Sequence, residues 1–98
     1  MFTAISSFEI ANGMENEVKD TFKNRPKQVE NFEGFIRMDV LNPAQNPAQV
    51  WLLTQWMDKK SFTEWHHNHL KQSHGGIPKG LKLVPHSFSL RFFDHITS

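Results

Sequence analysis

The 98-residue chain has no cysteine and no tyrosine. Without thiols there are no disulfides, thiolate metal ligands, iron–sulfur clusters or cysteine nucleophiles, and without phenols there is no tyrosine acid–base chemistry. Charge of one sign is also missing. Eleven Lys and Arg against ten Asp and Glu leave a formal net charge of +1, which gives no electrostatic reason to expect nucleic acid or a membrane as partner. No stretch approaches the ~20 apolar residues of a membrane span, and the start MFTAISSFEI lacks the basic segment and long apolar core of a secretion signal. A cytoplasmic location is the expectation. What remains is six His, nine Phe and three Trp: histidine as the main soft ligand and proton carrier, and enough aromatic bulk for one modest core. The length accommodates one domain, 1–98.

Residues 2–11 alternate Phe2, Ala4, Ser6, Phe8 and Ile10 against Thr3, Ile5, Ser7 and Glu9, the period of a strand. After a turn at Asn12-Gly13, the residues Met14, Val18, Phe22 and Val29 recur near helical spacing. Pro26 predicts a kink or restart there. GFIRMDVL predicts a second strand over 34–41, with Ile36, Met38 and Val40 on one face and Phe35, Arg37, Asp39 and Leu41 on the other. Two Asn-Pro turn signals follow in NPAQNPAQ. VWLLTQWM (50–57) is apolar on both faces and predicts a central, doubly covered strand. SFTEWHHNHLKQSH predicts a helix over 61–74, capped by Ser61, with Glu64 completing a capping box, or by Asp58. Gly75-Gly76 end it. Residues 81–95 predict a fourth strand with Val84, His86, Phe88, Leu90 and Phe92 on one face, and Pro85 places it at an edge or a strand start.

The order βαββαβ is the ferredoxin-like α+β plan, an antiparallel sheet with both helices on one face. Apolar residues on both sides of several strands predict a second copy of the chain over the open face, giving a homodimer.

Trp65, His66, His67, His69 and His74 crowd one helix. On a 100° wheel centred on Phe62, Trp65, His66, His69 and Leu70 lie within about 80°, while His67 points to solvent. A zinc site built on His66 and His69 has no HExxH pattern to support it, and Glu64 is poorly placed. One histidine as the axial ligand of a haem in an apolar pocket is a second reading. A plainer one makes Trp65 a core residue and His74 a residue favoured by the helix dipole.

The order Gly34-Phe35, Thr54-Gln55-Trp56, Ser61 to Trp65 (SFTEW) and a helix-ending His74, with RPKQVENFEGF at 25–35, resembles the antibiotic-biosynthesis-monooxygenase domain. Within it, the pattern is most similar to the small haem-degrading monooxygenases of bacterial iron acquisition. The resemblance implies a dimeric α+β barrel that holds haem, both cofactor and substrate, between helices and sheet. It implies His74 as the axial ligand of the haem iron and Trp65 as the bulk that ruffles the macrocycle. Ser6, seven residues before Gly13, stands where the family has an asparagine that donates a hydrogen bond. The implied catalytic set is Ser6, Trp65 and His74. Haem contacts are expected from His74, Trp65, Phe22 and His69, apolar walls from Phe22, Phe35, Leu52, Leu70 and Phe88, and propionate contacts from Arg25 or Lys79. A reductase is a candidate partner. Two alternatives are a cofactor-independent monooxygenase acting on an aromatic polyketide or quinol-like metabolite, and a non-catalytic dimeric barrel that binds a small ligand or regulates.

Overall fold

The computed structural model describes residues 1–24, 31–71 and 80–97, with residues 68–71 described by backbone alone. Strand β1 (Phe2–Glu9) leads to helix α1 (Glu15–Lys23), then β2 (Phe35–Leu41), β3 (Gln49–Trp56), helix α2 (Lys59–Lys71) and β4 (Ser89–Asp94). The strands form one antiparallel sheet in the order β2-β3-β1-β4, the ferredoxin-like arrangement expected from the element order.

Pairing register decides which side chains meet the helices. Phe2, Ala4, Ser6 and Phe8 of β1 lie opposite Trp56, Thr54, Leu52 and Val50 of β3, and these residues share the helix-covered face. Val18 of α1 is buried with Ile10 and Val50, while Phe62 of α2 is buried with Phe2, Ala4 and Trp56. Thr3, Ile5 and Ser7, with Trp51, Leu53 and Gln55, lie on the opposite face. The expected double cover of β3 is therefore not supplied within the described chain, since both helices pack on one side.

The face assignment of β2 needs correcting at its start. The register shifts between Phe35 and Arg37, so Ile36 is the extra residue of a bulge and is exposed. Phe35 consequently rejoins the face of Met38, and both pack on the Trp56 cluster. Beyond β2, Asn42 Nδ2 donates to the carbonyls of Gln49 (2.7 Å) and Pro47 (3.3 Å). Asn46 Nδ2 donates to Glu9 Oε1 (3.0 Å), and its Oδ1 accepts the Ala48 N–H (3.2 Å). Each Asn-Pro signal thus staples the β2–β3 loop, as such side chains do in turns.

The fourth strand is shorter than the expected 81–95, and β1 ends at Glu9 rather than residue 11. Leu83 forms an isolated bridge with Ile10, and the Val84 N–H donates to the Glu9 carbonyl (2.8 Å). Pairing then lapses until Ser89. Pro85 has no N–H for the ladder, and His86 adopts a left-handed φ of 63°, so five residues loop out opposite two of β1. This removes Phe88 from the expected alternation and leaves it 63% exposed.

Helix α2 starts two residues before Ser61, and Asp58 is its cap. The Asp58 Oδ1 accepts both the Ser61 N–H and the Ser61 hydroxyl at 2.8 Å. With Ser61 as the third helical residue, the Ser61–Glu64 capping box does not arise. The same Ser61 is met by Gly34, whose φ is +86° and whose carbonyl accepts the Met57 N–H (2.8 Å). A Cβ on Gly34 would overlap the Ser61 side chain.

Two predictions follow from this junction. Gly34→Ala must hold an unfavourable φ, worth about 1–2 kcal/mol, and displace Ser61. Its melting temperature should fall by roughly 5–15 °C, with Ser61→Gly in the same chain restoring only the part due to overlap. Thermal unfolding followed by circular dichroism measures both. For Asp58, the Ser61 N–H and then the Ser61 hydroxyl, with a further pull from Lys60, hold the carboxyl below its ordinary range against a small desolvation. A depressed folded pKa stabilises above the unfolded value and loses that effect as pH falls through the folded one. Asp58→Ala should therefore melt lower than the parent at neutral pH, and the gap should close as pH drops below about 3.9.

Candidate functional site

The helix-covered face carries two apolar clusters rather than one. Toward α2, Phe2, Ala4, Trp56 and Phe62 are buried together, with Phe32, Phe35, Met38 and Trp65 packed around them. Toward α1, Ile10, Val18 and Val50 are buried, with Phe22, Val40 and Leu52 among their neighbours. Between them runs a cross-strand row, Leu90–Ser6–Leu52–Val40, set by the pairing of all four strands. Ser6 is half-buried and is the hydroxyl in that row. The next row holds Thr54, whose Oγ1 donates to the Ala4 carbonyl (3.4 Å).

Trp65 lies one helical turn beyond Phe62, the spacing at which side chains share a helix face. Its indole lies 5.5 Å from Trp56 at 38° and 6.4 Å from Phe62 at 45°, half-buried at the α2 side of the seam. Trp56 backs it with no exposed surface and presents edges to Phe32, Phe35 and Phe62 at 72–82°, the T-shaped geometry aromatic quadrupoles favour. Trp65 therefore cannot retreat toward the sheet without displacing a full indole.

His66 stacks on Phe62 at 5.4 Å and 18°, a contact its four-residue spacing makes legible. His67 is exposed, as its wheel position implied. Phe22 is half-buried on the α1 side, beside Val40 and Leu52. His69 and Leu70 lie on α2 with their side chains outside the described residues, and His74, Arg25 and Lys79 lie outside them entirely. Of the expected apolar walls, Phe22, Phe35 and Leu52 lie on the helix side, whereas Phe88 is exposed for the reason given above. Trp56 belongs to the Thr54-Gln55-Trp56 motif that carries the resemblance, and that it braces Trp65 is shown by the structure alone. Its register opposite Phe2 and Phe35 singles it out. Among the described residues no group of three His, Cys, Asp or Glu is disposed to hold a metal ion, and no helix is long and apolar enough to cross a membrane.

The arrangement is a seam with an apolar floor, one central hydroxyl and an indole wall, suited to a flat, mostly apolar ligand. The profile of the antibiotic biosynthesis monooxygenase family matches residues 1–74. A heme oxygenase (mycobilin-producing) of Mycobacterium tuberculosis is 26% identical over 72 residues, which are 74% of this chain and 69% of that protein. Among solved structures, the heme degrader MhuD of Mycobacterium tuberculosis with two hemes bound in its active site superposes with a TM-score of 0.81 at 22% identity, covering 100% of this chain and 98% of that one. A putative antibiotic biosynthesis monooxygenase from Bacillus cereus superposes with a TM-score of 0.69 at 22% identity, covering 100% and 95%. At these identities the structural matches establish the fold, while the profile match spans most of the sequence. The chain belongs to the antibiotic biosynthesis monooxygenase family.

Proposed function

We propose that this monooxygenase-family chain binds haem in the seam between its two apolar clusters and cleaves the porphyrin oxidatively, releasing iron. The observation that carries the reading is Trp65 braced by the fully buried Trp56 beside a row in which Ser6 is flanked by Leu52 and Leu90. The resemblance of this chain to a heme oxygenase supports it.

The described residues fit a porphyrin on chemical grounds. Leu52, Val40 and Leu90 offer an apolar floor, and Phe22 and Trp65 stand on the α1 and α2 sides of it. When bound, haem supplies the redox-active iron and is itself the carbon framework that is oxidised. The protein's part is positioning. His74 would hold the haem iron through an imidazole nitrogen, and His69 would add a further contact. Trp65 would lie against the macrocycle face, and Trp56 behind it would keep the indole from yielding. Ser6 Oγ offers one O–H donor in the middle of the floor, shorter in reach than an asparagine amide. The apolar surroundings exclude water and strengthen that single hydrogen bond.

Haemin titrated into the protein is expected to give a Soret band that His74→Ala abolishes, and a reductant in air should then bleach it. Absence of any Soret band overturns the reading, and a band that persists under reductant reduces it to haem binding. In the first case, Ser6 as a carbonyl-binding hydroxyl favours oxygenation of an aromatic metabolite without cofactor. Ser6→Asn should accelerate bleaching, because the longer amide reaches further over the floor.

The proposal includes a homodimer. Ile5, Trp51, Leu53 and Phe93 lie on the face opposite the helices, and a second copy packed there by two-fold symmetry would cover them. Sedimentation at micromolar concentration should show twice the 11.4 kDa chain mass, and Leu53→Arg should shift it toward the single chain.

A further inference from the structure

The sheet face opposite the helices is ruled into cross-strand rows by the pairing of all four strands. From the β2 edge to the β4 edge they are Arg37–Gln55–Thr3–Phe93, Asp39–Leu53–Ile5–Arg91 and Leu41–Trp51–Ser7–Ser89. Alternation along each strand puts these side chains on one face. The charged residues stand at its two edges, with Leu53, Ile5 and Trp51 between them.

The middle row carries opposite charges at its ends. Asp39 and Arg91 are three strand spacings apart, roughly 14 Å, too far to pair within one chain. Each makes a local contact instead. Asp39 Oδ2 lies 3.1 Å from Arg37 Nη2, with both side chains about half exposed. The Arg91 guanidinium lies 5.0 Å from the centre of the Phe93 ring, and Arg91 is exposed. A carboxylate accepts from more than one donor and a guanidinium has five N–H groups, so both retain capacity to bond away from the sheet.

A second copy laid on this face by a two-fold axis between the sheets has two simple orientations. With the axis across the strands, through the middle row, each edge strand faces its own copy. Asp39 then meets Asp39 of the partner subunit, and Arg91 meets Arg91 of the partner subunit. With the axis along the strands, the β2 edge of one copy faces the β4 edge of the other. Asp39 then meets Arg91 of the partner subunit, and symmetry repeats the contact at the other edge. Between these edges Leu53 meets Ile5 of the partner subunit, and the bulk of Trp51 falls on the small side chain of the partner's Ser7. Arg37 comes over the ring of the partner's Phe93, a cation–π position.

Opposed like charges cost affinity, and complementary charges fix the register of an interface. We infer that two copies of this chain face each other with the symmetry axis along the strands, and that the reciprocal contacts of Asp39 with Arg91 of the partner subunit select this orientation. The inference rests on the homodimer proposed above and deepens it by stating which edges meet.

The absence of cysteine gives the test a clean background. Asp39→Cys and Arg91→Cys chains are treated with a short bifunctional maleimide, separately and after re-equilibration as a mixture, at concentrations where sedimentation shows dimer. Covalent dimer should form in the mixture and in neither chain alone. Crosslinking of either chain alone overturns the orientation, as does its absence from the mixture. Charge reversal tests the cause. Asp39→Arg and Arg91→Asp should each raise the dimer dissociation constant about ten- to hundredfold, since attraction becomes repulsion at both edges. The two reversals in one chain should return it to within about threefold of the parent, because the pair is coupled. Circular dichroism confirms that each variant is folded. Unchanged dissociation in the single reversals, or no recovery when they are combined, overturns the role of the pair. A parent that sediments as the single 11.4 kDa chain overturns the homodimer and this orientation together.

Discussion

Trp56 closes β3 with no exposed surface and pairs across the sheet with Phe2 on one side and Phe35 on the other. Phe62 and Trp65 of α2 rest on it at 5.8 and 5.5 Å, so the helix is seated by one indole. Its Nε1 is buried without a hydrogen-bond partner among the described residues. Removing an indole's surface from water is worth roughly 4–6 kcal/mol, and an unmade hydrogen bond costs about 1–3 kcal/mol. Burial wins, and the position tolerates an orphaned N–H as the consequence of bracing Trp65 from behind.

The second constraint is the junction of Gly34 with Ser61. The Asp58 cap gathers the first turn of α2 around Ser61, and only a residue without a side chain lets the start of β2 pass against it. Together with Trp56 this anchors α2 at one end of the sheet. Helix α1 is anchored separately through Val18 and Phe22 on Val50 and Val40. Two anchors at a distance leave a seam between clusters, and the residues the seam exposes are those in the Ser6 row. The proposed site thus lies where the sheet's apolar surface is not consumed by either helix.

Much of this was legible locally. Alternation from Phe2 onward marked β1, the 62–65–66 spacing put Phe62, Trp65 and His66 on one helix face, and Asn42 and Asn46 marked the β2–β3 loop. What failed did so for identifiable reasons. The bulge at Ile36 is a property of register against β3, so the alternation in GFIRMDVL misassigned Phe35. Pro85 signalled an interruption, but the extent of the loop through Phe88 depends on where β1 resumes pairing. Asp58 and Ser61 were equally good caps until the approach of Gly34 and the hydrogen bonds to Asp58 selected one. Trp51 and Trp56 lie in the same largely apolar run, and nothing in VWLLTQWM distinguishes the open-face indole from the buried one.

By itself the sequence determined the order of elements, the residue types available for chemistry and the side chains that share a turn or a strand face, because backbone periodicity alone places neighbours three, four or two residues apart. It could not determine which faces are covered, that Trp56 stands behind Trp65, or that Asp39 and Arg91 come to lie at the two ends of one row on the open face. Those juxtapositions join residues far apart in the chain. They are decided by the pairing register and by which apolar surfaces gain most from being buried together, quantities that exist only once the sheet is assembled.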